Sequence, residues 1–235
     1  MKVVLTRERG RNEELVAWLP DGAETFEVPL TETRYFEADE VRRTLVATAL
    51  KSPYRSLVVT SSRSARFVVT ALASCTGDVE VFSVGPSTTR ALAALGQDVC
   101  AQSTGGALEL SLQIRSGPVL LLGAATMREE LGDDLRSRGM EVAKVACYET
   151  RPIPPDEIGR RLIAEADVVV IGAPSAWAVA REFVAPTSLV VVPGESTARS
   201  VEVDHERTLV GWGPSWRVAL AAPDPGPGEP TTDEQ

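Results

Sequence analysis

The chain has 235 residues, of which 43% are hydrophobic and 24% charged, and a formal net charge of −9. That make-up fits a globular protein with room for one large or two small cored domains. Its acidity argues against nonspecific binding to nucleic acid or an anionic membrane, because such binding needs a basic face.

KVVLTR (2–7) is a short apolar run ending in polar residues, the pattern of a buried parallel strand. Leu15, Trp18 and Leu19 fall at helical spacing and predict a helix over 12–19. Gly22 breaks it, and ETFEVPL (24–30) reads as a second strand. TETRY (31–35) is read as a crossing between domains, followed by a helix from Ala38 to Leu50 that repeats Val41, Leu45 and Ala49. SLVVTSSRSA (56–65) and EVFSVGPSTTRAL (80–92) are each a strand running into a helix. DVCAQ (98–102) is a strand, 107–114 a helix and PVLLLG (118–123) a central strand. A helix over 127–139 is closed by Gly139, with Arg136 and Arg138 in its last turn. EVAKVACYETRPI (141–153) is a long strand with a proline-rich exit, and a helix over 157–164 follows. DVVVIGAPSAW (167–177) and SLVVVPGESTARS (188–200) are again strands entering helices, and RTLVGW and SWRVALAA finish as strand and helix.

Part of this series occurs twice. Gly85, Ser87 and Thr88 align with Gly194, Ser196 and Thr197 at an offset of 109, and the preceding strand ends, Thr60 and Gly172, at an offset of 112. A repeat this long indicates a duplicated structural unit. Strict alternation of apolar strands with helices predicts an α/β fold of two parallel-sheet domains, with helices on both faces of each sheet. Domain 1 is expected over 1–35 and 149–222, with domain 2 inserted at 36–148 and the two joined by a two-stranded connection. The Pro/Gly-rich tail 223–235, which holds Asp224, Glu229, Asp233 and Glu234 and no base, is expected to be disordered. Ligands of such sheets bind outside the strand carboxyl ends, here expected to face one inter-domain cleft.

The groups at those ends suit an anionic ligand. Thr6 and Arg7 close the first strand, and Thr60, Ser61, Ser62 and Ser64 close the strand of the first copy. Ser87–Thr88 and Ser196–Thr197 follow glycines that permit a tight strand-to-helix turn. Hydroxyls and free N–H groups there can cap a helix or receive a carboxylate or phosphate. Arg7 and Arg63 are the candidate cations. The sequence has neither G-x-G-x-x-G after a strand nor G-x-x-x-x-G-K-[ST], which removes support for dinucleotide and nucleoside triphosphate binding. His205 is the only histidine, expected at the solvated surface, so a Ser-His-Asp triad or a zinc site is not expected. GESTA (194–198) lacks the second glycine of a nucleophile elbow. Tyr148, near the proposed crossing, could donate a proton to a leaving group. Cys75, Cys100 and Cys147 are odd in number without C-x-x-C spacing, which fits a reducing compartment. With neither a signal-like start nor an apolar run of about 18 residues, a cytoplasmic location is expected.

Across residues 2–222 the chain resembles the uroporphyrinogen-III synthase family. The resemblance rests on VVLTR, Pro29, VVTSSRSARF, SVGPSTTRALAALG, VLLLG with MREELGDDLRSRGMEV, the tyrosine of ACYET, APSAW and PGESTA, in that order. It implies a cofactor-free, metal-free lyase of tetrapyrrole synthesis, expected here as a monomer. Such an enzyme cyclises linear hydroxymethylbilane with loss of water and inversion of ring D. The implied route loses the ring A hydroxyl to give an azafulvene, passes through a spiro intermediate, and recloses with ring D inverted. The resemblance assigns Tyr148 to assisting hydroxyl departure and Thr197 to the second Gly-x-x-Thr motif. Thr6, Arg7, Thr60, Ser61, Arg63, Gly85, Ser87, Thr88, Ser175, Gly194 and Ser196 would bind the substrate's eight carboxylates or line the cleft. Two departures stand out. Gly172-Ala173 replaces the Thr-Ser of many members, and Gly123-Ala124 replaces an Arg-Gly. The alternative reading is a non-catalytic homologue that binds a tetrapyrrole or another anionic ligand as a sensor or interaction module.

Overall fold

The computed structural model describes residues 1–103 and 107–221, and the tail expected to be disordered lies outside them. The chain opens with β1 (Lys2–Leu5), α1 (Glu13–Trp18), β2 (Glu24–Glu27), β3 (Thr31–Tyr35), α2 (Ala38–Ala49) and β4 (Ser56–Val59). It continues with α3 (Val68–Ser74), β5 (Glu80–Val84), α4 (Pro86–Ala93), β6 (Ala101–Ser103), α5 (Ala107–Ser111), β7 (Val119–Ala124), α6 (Glu130–Ser137) and β8 (Val142–Pro152). It closes with α7 (Glu157–Ala164), β9 (Val168–Val170), α8 (Pro174–Ala180), β10 (Leu189–Val192), α9 (Glu195–Val201), β11 (Thr208–Val210) and α10 (Trp216–Ala219).

These elements form two compact units. One comprises Met1–Glu32 and the chain from Arg151 onward, and the other Thr33–Thr150. The first holds a five-stranded sheet in the order β11-β10-β9-β1-β2, with every pair parallel. The second holds a six-stranded sheet in the order β3-β8-β7-β4-β5-β6, parallel from β8 to β6.

The strands read as unbroken apolar runs because both faces of each sheet are covered. In the first unit Val4, Val169, Val190 and Val192 pack with Ile163 of α7, Trp177 of α8 and Ala198 of α9. Their neighbours Val3, Leu5, Val170 and Val191 point the other way, onto Leu15 of α1 and Trp216 of α10. The second unit repeats the scheme. Leu57, Val59, Leu120 and Leu122 meet Val41 and Leu45 of α2, Val68 of α3 and Leu92 of α4. Val58, Val119 and Leu121 meet Leu110 of α5 and Leu131 and Leu135 of α6. Alternation along each strand thus supplies two cores per sheet.

Three findings refine the sequence reading. TETRY is itself a strand, with Thr31, Thr33 and Tyr35 half-buried while Glu32 and Arg34 are exposed. As an edge strand it presents charge where further pairing would otherwise occur. His205 is not solvated. Its N–H donates to Val201 O at the end of α9, its Nε2 lies 2.8 Å from Ser188 O, and its ring meets Trp177 edge-on at 5.9 Å. The polar neighbours in VEVDHERT concealed that this turn folds back onto the core. The third finding is a slip in the β7–β8 ladder. Gly123 pairs with Ala146, but Ala124 pairs with Tyr148, so Cys147 is an extra residue.

Candidate active site

The slip decides where Tyr148 points. In a regular strand Cys147 and Tyr148 would face opposite sides, yet both are buried in the same core cluster. A bulge re-aims the side chain that follows it. The Tyr148 carbonyl accepts from Ala125 N at 2.8 Å, and Cys147 O accepts from Phe36 N at 3.0 Å, so neighbours on both sides hold the bulge. Burial pushes the Cys147 thiol from an ordinary 9.0 up to about 12, which keeps it neutral and chemically idle.

Tyr148 borders a 330 Å³ cavity in the second unit, together with Thr60, Ala124, Met127 and Arg128, over a floor of Val84, Leu121 and Leu131. The Arg63 guanidinium lies 5.8 Å from the Tyr148 ring centroid, and the Tyr35 ring 6.1 Å away at 56°. Arg66 in turn covers Tyr35 at 4.5 Å. A phenol, two guanidiniums near it and a mostly apolar floor can hold a flat ring, bind a carboxylate and deliver a proton.

The remaining predicted residues divide between the two units. In the second, Ser61 Oγ accepts from Arg63 N at 3.2 Å, which fixes the turn after β4. Gly85, at φ 85°, makes a turn into α4 that disfavours any side chain. Ser87 is exposed and Thr88 buried. In the first unit Ser175 is half-buried on α8, Gly194 is extended, Ser196 is exposed and Thr197 is buried. The two Gly-x-Ser-Thr copies therefore share one pattern, with the serine outward and the threonine inward.

Several threonines have already spent their protons. Thr6 Oγ1 donates to Val170 O (2.7 Å), Thr60 Oγ1 to Leu122 O (3.2 Å) and Thr88 Oγ1 to Val84 O (2.8 Å). A carboxylate accepts only, so these hydroxyls serve it less directly than their sequence positions imply. They tie the strand ends in place.

Both departures have a steric account. A Cβ at Gly123 would lie 2.1 Å from Thr60 Oγ1 and 2.6 Å from Met127 Sδ, so a side chain there would displace the cavity wall. A Cβ at Gly172 would lie 3.2 Å from Arg7 Cγ, whose guanidinium stacks 5.0 Å from the Trp212 centroid. Arg128, Met127 and Trp212 were not among the residues singled out from sequence. A signal for Arg128 existed. It is a cation just ahead of α6, where the helix dipole disfavours positive charge.

Among the described residues, no three His, Cys, Asp or Glu side chains gather as a metal site would require. Also among them, no helix is long and apolar enough to cross a membrane.

The family model for uroporphyrinogen-III synthase HemD matches residues 19–205. The chain belongs to the uroporphyrinogen-III synthase family. Its fold is that of solved members. A mutant uroporphyrinogen III synthase from the extremely thermophilic bacterium Thermus thermophilus superposes with a TM-score of 0.62 at 18% identity, covering 94% of this chain and 96% of that one. The uroporphyrinogen-III synthetase of Helicobacter pylori gives a TM-score of 0.59 at 15% identity, over 93% and 96%. No curated protein matches in sequence. Membership in this synthase family places the chain in tetrapyrrole biosynthesis.

Proposed function

We propose that the chain is an active uroporphyrinogen-III synthase, a cytoplasmic, monomeric lyase that closes hydroxymethylbilane with inversion of ring D and without metal or organic cofactor. One observation carries the reading. The bulge at Cys147 turns Tyr148 into a mostly apolar cavity beside Arg63 and Arg128.

In this reading the Tyr148 phenol gives its proton to the ring A hydroxyl as the C–O bond breaks. Water leaves with the bonding electrons. The proton released from the ring A nitrogen restores the phenol, so the azafulvene is neutral. The substituted carbon of ring D attacks it, and the spiro intermediate fragments and recloses inverted. Spontaneous closure takes the unsubstituted carbon, so the protein's main task is to hold the chain ends in the geometry of the less direct route. Arginines and strand-end N–H groups supply that grip on the substrate's carboxylates.

The commitment of the Thr6, Thr60 and Thr88 hydroxyl protons to main-chain carbonyls favours a second reading, a homologue that binds without turnover. Supplying hydroxymethylbilane and resolving the product isomers separates the two. Type III product supports the synthase. Type I alone, at the spontaneous rate, supports the binding module.

A further inference from the structure

In the first unit, Arg7 leaves the carboxyl end of β1, and its stem crosses Gly172, just past β9. Its guanidinium lies over Trp212, just past β11, at 5.0 Å from the ring centroid. Trp212 is held in turn. It meets Trp216 edge-on at 6.2 Å and 85°, and Trp216 meets Trp18 edge-on at 5.9 Å and 80°. Trp216 is anchored by its Nε1–H donating to Gly211 O at 2.8 Å. Three of the four tryptophans therefore form a ladder ending under one guanidinium.

Trp212 differs from Trp216 in one telling respect. Its Nε1 is buried and finds no acceptor among the described residues. A buried indole N–H is ordinarily paired, and leaving it unpaired costs stability. What the ring offers is its faces, packed on Trp216 on one side and carrying the Arg7 guanidinium. Gly172 makes the same point from the other side, because a Cβ there would press on Arg7 Cγ at 3.2 Å. A guanidinium over an aromatic face is restrained in position, and its planar fork of N–H donors suits a carboxylate. Its five N–H donors can serve more than one acceptor at once.

We infer that Trp212 is a positioning residue that orients Arg7 as a carboxylate subsite for a tetrapyrrole side chain, and that Gly172 is glycine to let Arg7 pass. This deepens the proposed synthase reading and rests on it for the identity of the ligand. It gives the loss of a strand-end side chain at 172 a positive purpose: the cation lies where a hydroxyl would otherwise project.

The test uses the full-length protein and Trp212→Phe, Trp212→Leu and Gly172→Ala variants with two readouts. The first is binding of uroporphyrin I, a stable octacarboxylate, followed by the porphyrin's own anisotropy. The second is KM and kcat with hydroxymethylbilane. Trp212→Leu and Gly172→Ala are expected to weaken porphyrin binding and raise KM by about 5-fold each, with kcat and the isomer ratio unchanged. Trp212→Phe, which keeps an aromatic face, is expected to stay within about 2-fold of the parent. Gly172→Ala leaves the tryptophan ladder intact and so reports on the subsite even where Trp212→Leu lowers the melting temperature. Unchanged binding in Trp212→Leu and Gly172→Ala would overturn the subsite, as would a parent protein that binds no uroporphyrin I. A parent that binds but never forms type III product would sink the synthase reading and leave the subsite standing.

Discussion

Tyr148 and Gly123 carry the most weight at the scale of single residues. Tyr148 is 5% exposed, with an arginine over its ring and the cavity beside it. Replacing it with phenylalanine keeps the ring's packing and removes only the hydroxyl. Tyr148→Phe is expected to lower kcat by about 100-fold, at the low end for a general acid, with KM nearly unchanged. An unchanged kcat would remove the phenol from the chemistry. Gly123 tests the cavity wall. Gly123→Ala puts a methyl 2.1 Å from Thr60 Oγ1, on a β-branched side chain with little freedom to yield. A loss of about 1–3 kcal/mol in urea unfolding is expected from this overpacking. A neutral result would mean that the wall yields at no cost. Residue chemistry was only partly legible in the sequence. The phenol and the strand-end threonines could be named, but not where the protons of Thr6 and Thr60 go, because Val170 and Leu122 offer their carbonyls only once the strands are laid side by side.

At the scale of elements, the apolar strand runs announced themselves, since a strand covered on both faces needs no polar alternation. VLLLG and DVVVI are examples. The bulge at Cys147 did not. Register belongs to a pair of strands, and nothing in EVAKVACYET alone shows that Ala124 pairs with Tyr148 and that Cys147 is skipped. TETRY was legible as a crossing but its place in a sheet was not, because a five-residue edge strand bearing Glu32 and Arg34 shows no partner until β8 lies beside it. Helix starts were more readable. Asp156 precedes α7, and its carboxylate accepts from Gly159 N at 2.7 Å, satisfying one of the first-turn donors. Asp156→Ala is expected to cost about 1 kcal/mol, read as a shift in the urea midpoint, while Asp156→Asn or Asp156→Ser recovers most of it. Equal losses in all three variants would show that the cap is not the cause.

For the whole molecule, each unit carries two cores of its own, and the chain passes between units at two places in sequence. The duplicated strand-and-turn pattern made the two-sheet architecture readable. The side-chain groupings at the strand ends were not, because Arg7, Gly172 and Trp212 are far apart in sequence. Cys147, buried in the second unit, links packing to pH. Its thiol is raised to about 12 in the folded chain against an ordinary 9.0, because burial disfavours the thiolate. The unfolded chain therefore releases that proton first, and stability present below pH 9.0 is lost progressively up to about 12. Tyr54 is shifted the same way, chiefly by desolvation. Urea midpoints should thus fall as pH rises from 9.0 towards about 12, and a midpoint that climbs over that interval would contradict the assignment.

The synthase reading itself is tested most directly by one measurement. Purified protein is given freshly generated hydroxymethylbilane, and the uroporphyrinogen isomers are resolved over time. Type III product, with ring D inverted, is expected to form well ahead of spontaneous closure. Type I product alone, at the rate seen without protein, would contradict it.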